Sequence, residues 1–374
     1  MLKLSKENID LQILEKIYIE PTNTCNLWCK TCVRNIWDEA DCFMSEKTFA
    51  NILKSINQIS PLPTVFFGGF GEPLNHPDIL KMIEELKKIN IKVELITNGI
   101  LLNSKVSQRL LELGLDRLWV SIDGASPESY LDIRLGSNLP LILSNLKELQ
   151  RLKDLNSLVL PKIGIAFVAL KRNISDLPKV LDIGIGLGAD KFSISNVLPY
   201  TPELNEQILY GDFTGVSIIP KNSNNLLPPM DIDTDILNSI NNTLDKFYSN
   251  SSTESEINFN IEKCPFMEKK STSIRCDGAL SPCLPFMHKH QIFFENKFRT
   301  IEPCIVGNIN QKSLLELWND ISYVERRRSV INFEFPCNMC TLFYHYDSND
   351  FDCFSNNIPS CGACLWAQGY IKCP

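Results

Sequence analysis

From residue 16 to about 199, short β-rich runs alternate with longer stretches whose apolar residues recur every three or four positions. KIYIEPT (16–22), TVFFGGF (64–70), KVELITN (92–98), RLWVSID (117–123), KIGIAFVAL (162–170) and KFSISNV (191–197) have the length and composition of strands. Between them, SEKTFANILKSINQI, PDILKMIEELKKIN, SKVSQRLLELG and LPLILSNLKELQRLK each carry the apolar stripe of an amphipathic helix. Ser45 and Ser104 read as N-caps and Gly114 as a helix stop. Six strands alternating with helices predict an α/β fold around a parallel sheet, wound open or curled into a barrel. In either form, functional residues belong on the loops that follow the carboxyl ends of the strands.

The rhythm breaks after residue 199. NSNNLLPPMDIDTD and YSNSSTESEINFN are rich in Asn, Ser and Pro, which predicts a surface-exposed connection with a helix near DILNSINNTLDKF. The pattern therefore divides the chain into an N-terminal extension (1–15), an α/β core (16–199), a linker or insertion (200–260) and a cysteine-rich C-terminal domain (261–374).

Charge narrows the partners. A net charge of −7 offers no electrostatic footprint for nucleic acid or anionic lipid. The one basic run, Arg326-Arg327-Arg328, is expected on a solvated helix face. The N-terminus is charged throughout, with no secretory pattern, and no apolar run approaches a membrane span. A cytoplasmic setting is expected, where thiols stay reduced and cysteines read as metal ligands before disulfides.

The 14 cysteines are clustered: four in residues 25–42, none in 43–263 and ten in 264–373. Cysteines used as small core residues would be scattered, so two metal regions are predicted. In the tail, Asp277-Gly278 reads as a two-residue hairpin turn that carries Cys276 and Cys283 on its arms, with Cys264 just upstream. Cys337-x2-Cys340, Cys353, Cys361-x2-Cys364 and Cys373 follow. Such spacing serves zinc and iron–sulfur clusters equally well.

The first region is more telling. PTNTCNLWCKTC places Cys25, Cys29 and Cys32 directly after the first strand. Three thiolates fall one short of a closed zinc site; the nearest further thiol is Cys42, and the first histidine is His76. A four-iron cluster held by three cysteines leaves one iron free to bind a small molecule. The later strand ends bring Gly69-Phe70-Gly71-Glu72-Pro73, Thr97-Asn98-Gly99 and Ser121-Ile122-Asp123-Gly124 to the same face.

This C-x3-C-x2-C spacing resembles the signature of the radical S-adenosylmethionine enzymes, which fold as a partial (β/α)6 barrel. The resemblance implies a 4Fe–4S cluster on Cys25, Cys29 and Cys32 whose open iron chelates S-adenosylmethionine, with reductive cleavage to a 5′-deoxyadenosyl radical. It implies that Gly69, Gly71 and Glu72 belong to the loop that receives the methionyl amino group. Asn98, Ser121 and Asp123 would face the ribose or methionyl end, and Arg134 would pair with the carboxylate. One departure stands out: Thr31 occupies the place before the third cysteine where relatives often carry an aromatic.

The tail, with Cys264, Gly278, Cys283 and Cys337-x2-Cys340, resembles the SPASM-type extension that holds auxiliary 4Fe–4S clusters. That resemblance implies ligands among Cys264, Cys283, Cys337, Cys340, Cys353, Cys361, Cys364 and Cys373. DCFSNNIPSCGACLWAQGYIKCP and TCNLWCKTCVRNIWDE are similar to the maturases of tungsten-containing oxidoreductases. The implied activity is modification of such an enzyme or its tungstopterin cofactor, with a ferredoxin- or flavodoxin-type electron donor. A peptide- or protein-modifying maturase is the alternative of the same class. A zinc-binding interaction module without catalysis is the alternative of another class; it explains the tail and leaves the triad unexplained.

Overall fold

A computed structural model describes residues 13–210, 227–250, 263–294, 296–331, 347–350, 361 and 364–374. The six expected strands are β1 (Lys16–Ile19), β2 (Thr64–Phe67), β3 (Val93–Thr97), β4 (Arg117–Ser121), β5 (Lys162–Ala169) and β6 (Ala189–Asn196). They pair in parallel in chain order. The connecting helices are α1 (Glu46–Ile56), α2 (Ile79–Lys88), α3 (Ser104–Glu112), α4 (Pro127–Ile133), α5 (Leu139–Leu155) and α6 (Leu177–Gly186). Among the described residues β6 pairs only with β5, so the (β/α)6 barrel stays open.

Strand alternation divides the side chains into two layers. Ile17, Ile19, Val65, Phe67, Val93 and Leu95 face the helices in the main core. Tyr18, Phe66, Ile96 and Trp119 face the other way, into the barrel, and form a second cluster that includes C-terminal residues. Ser45 caps α1 through Thr48 N–H, as its sequence suggests. The cap of α3 is Asn103, one residue before the expected Ser104; its carbonyl reaches Val106 N–H. Gly114 stops that helix at φ +64°.

The C-terminal part is built into the core sheet. Strand β7 (Ser271–Ile274) runs parallel to β1 on its free edge, and β8 (Ala279–Ser281) turns back antiparallel to it. The turn differs from the expected Asp277-Gly278 pair. Gly278 N–H closes on the Arg275 carbonyl and only Gly278 has a positive φ, +85°. Asp277 instead accepts from Ala279 N–H, so this is the longer loop with a glycine bulge.

Two other expectations change. The segment read as a surface connection carries its expected helix, α7 (Thr234–Asn250), but Ile240 and Leu244 are buried in the main core rather than exposed. Their four-residue spacing aims both at α6, which is why this polar stretch packs. The basic run lies in α8 (Ile321–Ile331), yet Arg326 and Arg327 are buried. Arg327 stacks over Trp318 at 3.7 Å and Tyr323 at 4.4 Å; aromatic faces replace the expected solvent. No described helix is long and apolar enough to cross a membrane.

Candidate active site

The cysteine loop leaves β1 and is pinned where it returns. Thr22 bridges Phe43, Met44 N–H donates to the Pro21 carbonyl at 2.8 Å, and Cys42 N–H donates to Asn23 Oδ1 at 2.7 Å. Within the loop, Cys32 N–H reaches back to the Cys29 carbonyl at 3.0 Å, the tight turn that C-x2-C requires. Cys25 Sγ accepts from Leu27 N–H at 3.4 Å and faces Asn98 Nδ2 at 3.8 Å.

Burial raises the pKa of all three thiols, that of Cys32 up to about 11, and the neighbouring thiols push the Cys29 and Cys32 values further upward. Three half-buried thiols that resist ionisation and crowd one another's charge are what a cation-rich centre would relieve. Among the described residues, no such trio converges closely enough to hold a single metal ion. A four-iron cube asks less, since each thiolate meets its own iron. The donor set fits that group.

The loop after β2 packs on the cysteine loop. A Cβ on Gly71 would fall 2.7 Å from the Thr24 carbonyl oxygen and closer still to that of Thr22. Gly69 has φ +106°, and a Cβ there would meet Glu20 at 2.8 Å. Both glycines are therefore required by protein packing, whatever ligand they face. Glu72 is buried with a raised pKa, chiefly from desolvation. Its carboxylate accepts from Leu74 N–H, Thr97 Oγ1 and Asn98 N–H at 3.0, 2.8 and 2.7 Å, which ties the loops after β2 and β3 together. Asn98 Nδ2 continues the chain to Asn26 Oδ1 at 2.8 Å.

Arg134 ties the cysteine loop to the loop after β4. Its backbone pairs with Cys29, and its Nε donates to Asp123 at 2.6 Å. The other Asp123 oxygen accepts from Val168 N–H at 2.8 Å. Asp123 thus spends both oxygens on the protein, while Ser121 gives its carbonyl to Tyr130 OH at 2.9 Å. A cavity of about 240 Å³ opens between the cysteine loop and the ends of β5 and β6, lined by Lys30, Thr31, Ile133, Leu170, Arg172 and Leu204 among others. Thr31 stands at its wall. His76 is satisfied by the Met44 carbonyl and Asp78 N–H, a structural histidine.

In the C-terminal part, Cys264, Cys283, Cys361 and Cys364 form one group. Each is pushed up first by burial and then by others of the four where its causes are resolved, Cys364 to about 12. They pack against the barrel-facing Tyr18, Phe66 and Trp119, and Arg326 donates toward Cys361 Sγ at 3.8 Å. Cys373 lies apart, with Trp366 Nε1 at 3.3 Å from its sulfur; burial raises its pKa, and the Trp366 N–H, Lys269 and Lys16 offset this only in part. Cys337, Cys340 and Cys353 fall outside the described residues. Cys42 and Cys276 form a disulfide that ties the cysteine loop to the β7–β8 hairpin, so this pair departs from the ligand-first reading. Their 234-residue separation hid the contact from sequence spacing.

Residues 19–166 match the Radical SAM superfamily and residues 264–341 match an iron–sulfur cluster-binding domain, SPASM. The chain belongs to the radical S-adenosylmethionine superfamily. It is an enzyme of that class, and its cofactors are iron–sulfur clusters and S-adenosylmethionine.

Along nearly its whole length it is similar to a tungsten-containing aldehyde ferredoxin oxidoreductase cofactor-modifying protein of Pyrococcus furiosus. The two are 30% identical over 96% of this chain and 97% of that protein. A probable GTP 3′,8-cyclase of Methanocaldococcus jannaschii is 30% identical over 52% of this chain and 61% of its own length. Among solved structures, Streptococcus suis SuiB superposes with a TM-score of 0.60 over 86% of this chain and 70% of that one, at 17% identity. The anSMEcpe structure with bound AdoMet reaches 0.57 over 88% and 84%, also at 17%. At that identity they support the shared fold.

Glu20 and His288 carried no signal in the sequence. One is a charged residue just past a strand, and the other lies in an unremarked loop after Cys283. Only the fold brings them together, at 2.8 Å.

Proposed function

We propose that this chain is a radical maturase that modifies a tungsten oxidoreductase or its tungstopterin cofactor. The observation that carries the reading is the end-to-end likeness to the Pyrococcus furiosus cofactor-modifying protein, which spans the barrel and the cysteine-rich part alike.

In this reading Cys25, Cys29 and Cys32 hold the catalytic cluster. When bound, that cluster supplies the electron that cleaves S-adenosylmethionine to methionine and a 5′-deoxyadenosyl radical. The residues of the chain do the rest. The Gly69–Gly71 backbone and Asn98 receive the methionyl end, and Glu72 holds those two loops in register. Ser121 faces the ligand with its hydroxyl. Arg134, steered by Asp123, directs its terminal nitrogens at the carboxylate. Cys264, Cys283, Cys361 and Cys364 hold one auxiliary cluster, which leaves Cys373 for a second with Cys337, Cys340 and Cys353. The domain limits given above, a ferredoxin- or flavodoxin-type donor and a cytoplasmic, anaerobic setting complete the proposal.

The test is co-expression. A tungsten aldehyde oxidoreductase is produced with this chain, without it, and with its Cys25, Cys29 and Cys32→Ala variant. The pterin cofactor is then extracted and weighed by mass spectrometry. A mass change, or restored oxidoreductase activity, only with the intact chain supports the reading. Identical cofactor and activity in all three would discard the tungsten substrate.

A further inference from the structure

A fully buried carboxylate–imidazole pair joins the C-terminal part to the glycine-rich loop. Glu20 follows β1 in the barrel-facing register of Tyr18 and is 0% exposed, as is His288. Glu20 Oε1 accepts from Phe70 N–H at 3.0 Å, the central amide of Gly69-Phe70-Gly71. Glu20 Oε2 meets His288 Nε2 at 2.8 Å. The imidazole is gripped from other sides as well. Trp37 of the cysteine loop lies 4.6 Å away and Phe70 meets it edge-on at 5.7 Å. Its Nδ1 faces Glu39 at 3.3 Å, and Glu39 in turn pairs with Arg275 of the β7–β8 turn at 3.2 Å.

Four segments thus converge on one ring: the end of β1, the cysteine loop, the glycine loop and the chain just after Cys283. A buried carboxylate is costly without donors. Glu20 has two, one from the glycine loop and one from the C-terminal part. If His288 is withdrawn, Glu20 keeps one amide for a whole buried charge, and its hold on Phe70 loosens with it.

We propose that Glu20 is a positioning residue for S-adenosylmethionine and that His288 locks it, so that docking of the auxiliary-cluster region completes the cofactor-binding loop. This rests on reading Gly69–Gly71 as the loop that faces the methionyl end. The radical site is then complete only when the region that carries the auxiliary thiols is seated.

Two measurements on cluster-loaded protein test it. In the unaltered enzyme, native-state hydrogen exchange across a denaturant series compares the Phe70 amide with the Met287 amide, whose own bond is to the Leu284 carbonyl. The two are expected to share one opening free energy. Phe70 remaining protected while Met287 opens would overturn the lock.

The second measurement is S-adenosylmethionine affinity, read from the change in the electron paramagnetic resonance signal of the reduced cluster. His288→Ala is expected to weaken binding about tenfold, the loss of one charge-assisted hydrogen bond, with iron per chain unchanged. His288→Gln, which returns an N–H donor to Glu20, is expected to recover most of it. Unchanged affinity in His288→Ala would sink the proposal. Failure of the unaltered enzyme to bind S-adenosylmethionine would instead sink the reading of the loop, and the exchange comparison would still judge the lock.

Discussion

Asp123 and Arg134 make the site's tightest charge pair, and both are largely removed from water. An ion pair of this kind is held together by the penalty of separating it: one partner left alone in the interior costs far more than the pair contributes. Asp123→Asn is therefore expected to destabilise the protein by about 3 kcal/mol in denaturant unfolding. Arg134 would also lose its aim at the cysteine loop, so S-adenosylmethionine binding should weaken in the same variant. His290 gives a second handle. Burial lowers its pKa from 6.5 to about 4, and its Nδ1 contacts the His288 carbonyl at 2.9 Å. The folded state binds its proton less readily than the unfolded chain does, so this contribution is full above pH 6.5 and lost as pH falls toward 4. Stability measured at pH 7 and pH 4 should differ by less in His290→Asn than in the unaltered protein. An equal drop in both would contradict that assignment.

At the scale of elements, the cysteine loop is a preformed cradle of protonated thiols. Binding iron must displace a proton from each, so acid favours the empty form. Cluster-loaded protein challenged with an iron chelator should lose iron faster at pH 6 than at pH 8; equal rates would mean that the thiols are not the groups released. The strands were legible because each is a short apolar run between turn residues, buried on both faces as in Ile17, Tyr18 and Ile19; their order in the sheet was not, since an open sheet and a barrel remained equally possible. The loops were legible because the parallel fold sends every strand end to one face. What escaped was contact between distant segments. Nothing local in ERRRSV says that Arg327 will stack on Trp318, and Asn103 outcompeted Ser104 as a cap by one residue. The glycines of the β2 loop were recognised, but the carbonyls of Thr22 and Thr24 that exclude a Cβ at Gly71 lie more than forty residues away in the chain.

In the whole molecule, the C-terminal part is no appendage. It extends the barrel sheet through β7, places four thiols against the barrel-facing aromatic layer, and is tied to the cysteine loop by Cys42–Cys276. Catalytic and auxiliary regions therefore share walls, and the Glu20–His288 contact crosses that shared ground. The sequence showed both regions, because cysteines cluster by spacing; it did not show that they interlock, because the interlock is made of single residues from separate segments.

The most direct test of the account is iron content and S-adenosylmethionine cleavage measured together. The protein is reconstituted anaerobically with iron and sulfide, reduced and given S-adenosylmethionine, beside its Cys25, Cys29 and Cys32→Ala variant. The expected result is 5′-deoxyadenosine from a protein that holds about 12 iron per chain, and no product from a variant that retains about 8. About two zinc per chain with no 5′-deoxyadenosine would contradict it.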